Sequence, residues 1–269
     1  MPADLTSTRS AGVTEVRHLY DRRHRAERGA FVVEGPQAVR EALGAGVLEL
    51  YVTEAAAQRY PEFLEQARGG GARVAVATED VLEAMSETRQ PQGVLAICPL
   101  VTRPVADVLA GIASSDPLVV VLDRISDPGN AGTIIRTADA MGAAAIVLTE
   151  GSVDPHNGKC VRSTAGSIFH VPICADVPSA DAIQACGVSG LMLVAADAHA
   201  PVSLETSHES LRGPLAWVFG SEAHGLHDDW RRAVQMTVRI PMAGRAESLN
   251  LAASAAICLY ATQRTRSGT

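Results

Sequence analysis

Six short apolar runs in the second half of the chain most constrain its fold: LVVVL (118–122), AIVLT (145–149), IFHVP (168–172), LMLVA (191–195), LAWVF (215–219) and MTVRI (236–240). A strand covered on one face alternates apolar and polar residues, whereas one buried on both faces reads as an unbroken apolar, β-branched run. Several of these runs are of the second kind, and helical or loop segments separate them. Together they predict a parallel sheet with helices on both sides.

The first half repeats the rhythm on a smaller scale. FVVE, LELYVT, RVAVA and GVLAIC alternate with helix-like stretches around PQAVREALGAG, PEFLEQARGG and TEDVLEAM. This predicts a small α/β domain over 1–99, a connector over 100–116 holding one short helix, and a larger α/β domain over 117–269. At 269 residues, 47% of them hydrophobic and 20% charged, the chain has material for two cores. The apolar stretch LAASAAICLYA is far shorter than the roughly 18 residues of a membrane span, so a cytoplasmic protein without membrane contact is expected. Cys98, Cys160, Cys174, Cys186 and Cys258 are odd in number and widely spaced, which predicts reduced core thiols and neither a disulfide framework nor a metal site.

The net charge is −7, yet residues 17–28 carry Arg17, Arg22, Arg23, Arg25 and Arg28 against only Asp21 and Glu27. Such a segment is either a solvated helix face with internal ion pairs or a phosphate-contacting patch, for which the planar arginine fork is well shaped.

Ligands of open parallel sheets bind beyond the carboxyl ends of the strands. Three loops there stand out: DPGNAGTIIR after LVVVL, GSEAHGL after LAWVF, and PMAGRAESLN after MTVRI. The first contains neither G-x-G-x-x-G nor Gly-Lys-Ser/Thr, so neither a dinucleotide nor a P-loop reading holds. Taken singly, Asn130 reads equally as a helix cap and Arg136 as a surface charge. Likewise Ser221, Glu222, His224, Ser248 and Asn250 read as turn or capping residues.

In this order and at these separations, the three loops resemble the signature motifs of the SpoU family of RNA ribose 2′-O-methyltransferases, within the SPOUT superfamily. The motifs are Asn130-x-Gly132 with Arg136, then FGSEAHGL (219–226), then IPMAGRAESLN (240–250). The segments RGAFVVEGPQAVREAL and QPQGVLAI resemble that family's substrate-binding domain. The resemblance implies a deep trefoil knot in the C-terminal domain and a homodimer with the active site near the subunit interface. It implies S-adenosylmethionine held around Gly220, Ile240 and Leu249, with Phe219, Met242 and Ala195 alongside. It further implies a catalytic frame of Arg136, Asn130, Glu222, Ser248 and Asn250, with no metal, and an N-terminal domain that selects RNA. Arg17, Arg22, Arg23, Arg25 and Arg28 are then candidate phosphate contacts, with Arg89 near QPQG as an addition. Ala223 and Ala246 depart from the family's usual residues without removing a polar group.

The expected substrate is ribosomal RNA ahead of transfer RNA, and both housekeeping modification and protection against a ribosome-targeting antibiotic stay open. The alternatives are a non-catalytic RNA-binding or ribosome-assembly protein that keeps the fold, and a small-molecule α/β enzyme, which the missing phosphate-loop patterns disfavour.

Overall fold

The computed structural model describes residues 3–221 and 224–267. Its elements in chain order are α1 (Ala11–His18), α2 (Arg22–Arg28), β1 (Ala30–Glu34), α3 (Pro36–Ala45), β2 (Glu49–Thr53), α4 (Glu54–Arg59), α5 (Pro61–Gly69), β3 (Arg73–Ala77), α6 (Glu79–Met85) and β4 (Val94–Pro99). Then come α7 (Val105–Ala110), β5 (Leu118–Leu122), α8 (Pro128–Ala140), β6 (Ala145–Thr149), α9 (Gly158–Thr164), β7 (Ile173–Val177) and α10 (Ser179–Val188). The chain continues through β8 (Met192–Ala196), β9 (Val202–Ser203), β10 (Leu215–Phe219), α11 (Asp228–Ala233), β11 (Met236–Arg239) and α12 (Leu251–Ser267). Two compact units result. One is the chain up to Val101 together with His156–Phe169, the other Thr102–Pro155 together with the chain from His170 onward.

The first unit holds a four-stranded sheet in the order β1-β4-β2-β3, with β4 antiparallel to both neighbours and β3 parallel to β2. Its core gathers Val13 and Val16 of α1, Val81, Leu82 and Met85 of α6, and Leu95 and Ile97 of β4. These helical residues recur at spacings of three and four, which places them on one stripe toward the sheet. The arginine-rich segment breaks into two helices: the Asp21 carboxylate accepts from the Arg23 and His24 N–H groups at the start of α2. Gly29 ends α2 at φ 66°, a left-handed conformation natural to glycine.

The second unit is a seven-stranded sheet in the order β7-β6-β5-β10-β8-β11-β9, parallel throughout. Every residue of β5, β6 and β10 is buried, which is why these strands show no alternation. Helix α12 returns against α8, and Trp217 of β10 donates from Nε1 to Thr262 Oγ1 at 2.9 Å.

The run IFHVP is not a strand. Ser167–Phe169 form a 3₁₀ turn and β7 begins only at Ile173. Pro172 has no N–H for a ladder, and Phe169 stacks on Phe31, 6.0 Å between ring centroids, within the first unit. The short strand β9 left no apolar run to find.

All five cysteines are buried, and none is joined in a disulfide. Burial pushes the Cys98, Cys186 and Cys258 thiols up to about 12 and Cys174 up to about 11. No helix among the described residues is long and apolar enough to cross a membrane.

Candidate active site

The strand order reverses between β5 and β10, so the loops leaving these two strands diverge and open a crevice at the carboxyl ends. A cavity of about 420 Å³ lies at the ends of β8, β10 and β11, within the roughly 300–1,000 Å³ range of small-molecule sites. Its wall is built by Ala196–Ala198 after β8, Phe219–Ser221 with Gly225 and Leu226 after β10, Ile240 and Met242 after β11, and Ser248–Leu251 with Ser254 at the start of α12. Phe219, Leu226, Ile240, Met242 and Leu249 supply apolar surface; Asp197, Ser248 and Asn250 supply polar groups. Met242 and Leu249 are 37% and 38% exposed, apolar area open to a ligand in the cavity.

Gly220 shapes the floor. A Cβ there would overlap the Gly225 carbonyl and the Leu226 amide nitrogen, so only glycine lets the loop fold back on itself. Ser221 and Gly225 close the turn with reciprocal backbone hydrogen bonds of 3.0 and 2.9 Å. The outcome is a backbone-lined cradle open to a ligand, which is what glycine at this position permits.

Two polar links tie the loops together. Asn250 Oδ1 accepts from the Ala252 and Ala253 N–H groups, capping α12, while its Nδ2 donates to Asn130 Oδ1 at 3.1 Å. The cap at the head of α8 is instead Asp127, whose carboxylate accepts from Asn130 N–H at 2.7 Å, with Pro128 in the first turn. The second link is Asp123 at the end of β5, fully buried. Its carboxylate accepts from Thr149 Oγ1 at 3.2 Å and from the His227 N–H at 2.8 Å. The β10 loop is thereby fastened to the ends of β5 and β6.

Of the residues expected to hold the cofactor, Gly220, Phe219, Ile240, Met242 and Leu249 line the cavity. Ala195 does not: it is fully buried inside β8, and its successors Ala196 and Asp197 reach the wall. Of the expected catalytic residues, Ser248 and Asn250 line the cavity, and Asn130 lines an adjoining groove of about 950 Å³ that shares Ser221, Gly225 and Leu226 with it. Arg136 is exposed on α8 and lines neither. Six positions separate it from Asn130, about 120° around a helix of 3.6 residues per turn. Glu222 lies outside the described residues. Among the described residues no cluster of three metal-ligating side chains occurs.

In the first unit Arg17, Arg22, Arg23 and Arg89 are exposed; Arg23 pairs with Glu27 at 2.8 Å. Arg28 is engaged by Glu15 and Glu49. Arg25 departs from the expectation of an RNA contact. It is 3% exposed, and its Nη1 donates to the Leu19 and Tyr20 carbonyls at 3.0 and 2.8 Å. Its charge is spent on the carbonyls orphaned at the end of α1.

Asp197 and Asp123 escaped the sequence reading. The signal for Asp197 was β8 itself, a parallel strand whose exit loop must open on the same crevice; Asp123 follows LVVVL directly and carries no motif of its own.

The fold and cavity define a cofactor-binding enzyme of the parallel α/β class. Residues 117–260 match the SpoU rRNA Methylase family and residues 11–96 the MRM3-like substrate binding domain. The chain is 32% identical to the 23S rRNA (guanosine(2553)-2′-O)-methyltransferase RlmP of Bacillus subtilis, covering 95% of this chain and 97% of that one. It is 34% identical to the 23S rRNA (uridine(2479)-2′-O)-methyltransferase of Streptomyces viridochromogenes, over 72% of this chain and 68% of the relative. The crystal structure of an AdoMet-bound rRNA methyltransferase from Sinorhizobium meliloti superposes with a TM-score of 0.86 at 33% identity, covering 97% of each chain. The chain belongs to the SpoU rRNA methylase family.

Proposed function

We propose that the chain transfers a methyl group from S-adenosylmethionine to a ribose 2′-hydroxyl of ribosomal RNA. The observation that carries this reading is the cavity built on Gly220 and joined through Asn250 to Asn130, so that a cofactor pocket and a second groove share one rim. The relatives named above act on 23S rRNA, which favours ribosomal over transfer RNA.

The residues fit the cofactor: the backbone cradle at Gly220 admits a close-packed ligand, Ile240, Met242 and Leu249 suit a flat heteroaromatic ring, and Asp197 suits a cationic group. When bound, S-adenosylmethionine supplies an electrophilic methyl on a sulfonium, which leaves without protonation. The chain must then orient the ribose hydroxyl and dispose of its proton. Asn130, Ser248 and Asn250, with Glu222, form the hydrogen-bonding frame for that hydroxyl. A guanidinium stays protonated in proteins and has no lone pair to accept a proton. Arg136 therefore clamps a phosphate and orients the hydroxyl, and the proton leaves through a phosphate oxygen or water.

A homodimer belongs to this reading, because Arg136 lines neither cavity of its own chain and a second copy supplies it to the groove. The trefoil knot implied by the motifs belongs to the same reading. Residues up to 99, with 156–169 packed into the same unit, form the RNA-selecting domain, 100–116 a linker, and the rest of the chain from 117 the catalytic domain; the setting is the cytoplasm.

The test is methyl transfer from labelled S-adenosylmethionine to 23S rRNA, with the modified nucleotide mapped. Incorporation at one ribose is the expected result. Cofactor binding without transfer to any RNA class overturns the assignment in favour of a non-catalytic RNA-binding protein.

A further inference from the structure

Arg124, directly after β5 and Asp123, holds φ 55°. This left-handed region costs a residue with a β-carbon about 1 kcal/mol or more relative to glycine, and strain of this kind collects at functional sites. The surroundings show what fixes the backbone. The Arg124 N–H donates to Thr149 Oγ1 at 3.0 Å, and the next amide, of Ile125, donates to Ser152 Oγ at 3.2 Å. Both bonds use backbone donors, so glycine at 124 keeps them all and removes the strain. The conformation explains nothing about why arginine stands there.

The side chain does. It is exposed, makes no hydrogen bond or ion pair among the described residues, and lines the groove that adjoins the cofactor cavity. Arg231 of α11 lines the same groove, its guanidinium braced by backbone carbonyls: Nε donates to Leu226 at 2.9 Å and Nη2 to His224 at 3.4 Å. No carboxylate pairs with either arginine among the described residues. Asp127, on the same wall, is turned to the α8 N–H groups, and Asp228 sits in the first turn of α11. Two un-neutralised guanidinium groups beside a methyl-donor cavity suit the oxygens of a phosphodiester, which the planar fork binds in pairs.

We propose that Arg124, with Arg231, grips the RNA phosphodiester next to the target ribose, and that the strained backbone at 124 is kept for this grip. The proposal rests on the methyltransferase reading and adds a phosphate subsite to it.

The test compares wild type, Arg124→Gly and Arg124→Lys in three measurements: thermal unfolding, S-adenosylmethionine titration, and binding of a 23S rRNA transcript across a salt series. Arg124→Gly is expected to melt at or above the wild-type temperature and to keep cofactor affinity. Its RNA affinity should fall roughly tenfold, and the slope of log affinity against log salt should flatten by about 0.7–0.9, one phosphate contact. Arg124→Lys keeps the slope. Wild-type affinity and slope in Arg124→Gly overturn the phosphate subsite alone, as does a lowered melting temperature, which makes Arg124 structural. A wild-type chain that binds cofactor but not the transcript overturns the methyltransferase reading and the subsite with it.

Discussion

Asn250 Nδ2 donates to Asn130 Oδ1 across 3.1 Å and 120 positions of sequence, so the loop that closes the cofactor cavity and the helix beside the adjoining groove share one hydrogen bond. The amide of Asn250 has no choice of orientation. Its oxygen serves the Ala252 and Ala253 N–H groups, which leaves only the nitrogen for Asn130.

That division of labour separates two substitutions. Asn250→Ala loses the cap and the link, and a lost cap costs about 0.5–2 kcal/mol. Asn250→Asp keeps an oxygen for the cap but sets a carboxylate against Asn130 Oδ1. Thermal unfolding should therefore show a clear loss for Asn250→Ala and little for Asn250→Asp, while methyl transfer collapses in both. Retained activity in Asn250→Asp would show that the bond to Asn130 is dispensable.

Asp123 fastens the β10 loop to the sheet by hydrogen bonds from Thr149 Oγ1 and the His227 N–H. Asp123→Ala removes the acceptor of the half-buried His227 N–H, at about 1 kcal/mol, and should weaken S-adenosylmethionine binding as the cradle at Gly220 loosens. Asp123→Asn keeps an acceptor for His227 and offers a donor to Thr149, so it should restore most of both. Calorimetric titration of the cofactor on the two variants checks this; equal damage in both would mean the negative charge itself is required.

The runs LVVVL and LAWVF were legible as doubly buried strands because burial on both faces erases alternation, and the three loops followed from where such strands end. IFHVP misled because apolar content alone does not distinguish a strand from a turn whose phenylalanine packs into a neighbouring core; Pro172 was the available warning. Arg25 was illegible as a core residue, since its helix-end acceptors, the Leu19 and Tyr20 carbonyls, are backbone groups that no sequence pattern marks. Arg136 shows the complementary limit. Its motif is plain in sequence, but its place outside both cavities of its own chain was not.

Arg25 and its neighbours divide into a structural and a surface group. Arg25→Ala should destabilise the first unit by about 1–3 kcal/mol through the orphaned carbonyls. Arg22→Glu with Arg17→Glu should leave the melting temperature within about 1–2 °C, yet lower RNA affinity and flatten its salt dependence. Filter binding of 23S rRNA at several salt concentrations decides it, and an unchanged slope would move the RNA contacts off α1 and α2.

Glu49 sets an acid limit on the first unit. Burial alone would raise its carboxyl, but hydrogen bonds from Tyr51, at 2.6 Å, and Arg73, with the charges of Arg73 and Arg28, hold it below the ordinary carboxylate range. A depressed folded-state value means the contribution is full above the unfolded value, about 4.3, and is lost as pH falls through the folded one. Tyr51, raised to about 12 by burial and by Glu49, behaves oppositely: its contribution is full below about 10 and fades above. Urea unfolding of wild type should weaken below pH about 4, and Glu49→Gln, less stable at neutral pH by about 1–2 kcal/mol, should show a flatter acid limb.

Arg136 and Gly220 test whether the active site is shared between subunits. Gly220→Ala forces a Cβ into the Gly225 carbonyl and should abolish cofactor binding; Arg136→Ala leaves the cofactor cavity intact, since Arg136 does not line it. Each variant alone should be inactive. Co-expressed with different tags, they yield mixed dimers if the proposed homodimer forms. If Arg136 acts on the cavity of the other copy, each mixed dimer keeps one complete site, pairing the cavity of the Arg136→Ala chain with the arginine of the Gly220→Ala chain. Random pairing makes half the dimers mixed, so about a quarter of wild-type activity returns in the mixture and about half in the doubly purified mixed dimer. Were Arg136 to act within its own chain, the mixed dimer would hold one site without the arginine and one without the cofactor, and no activity would return.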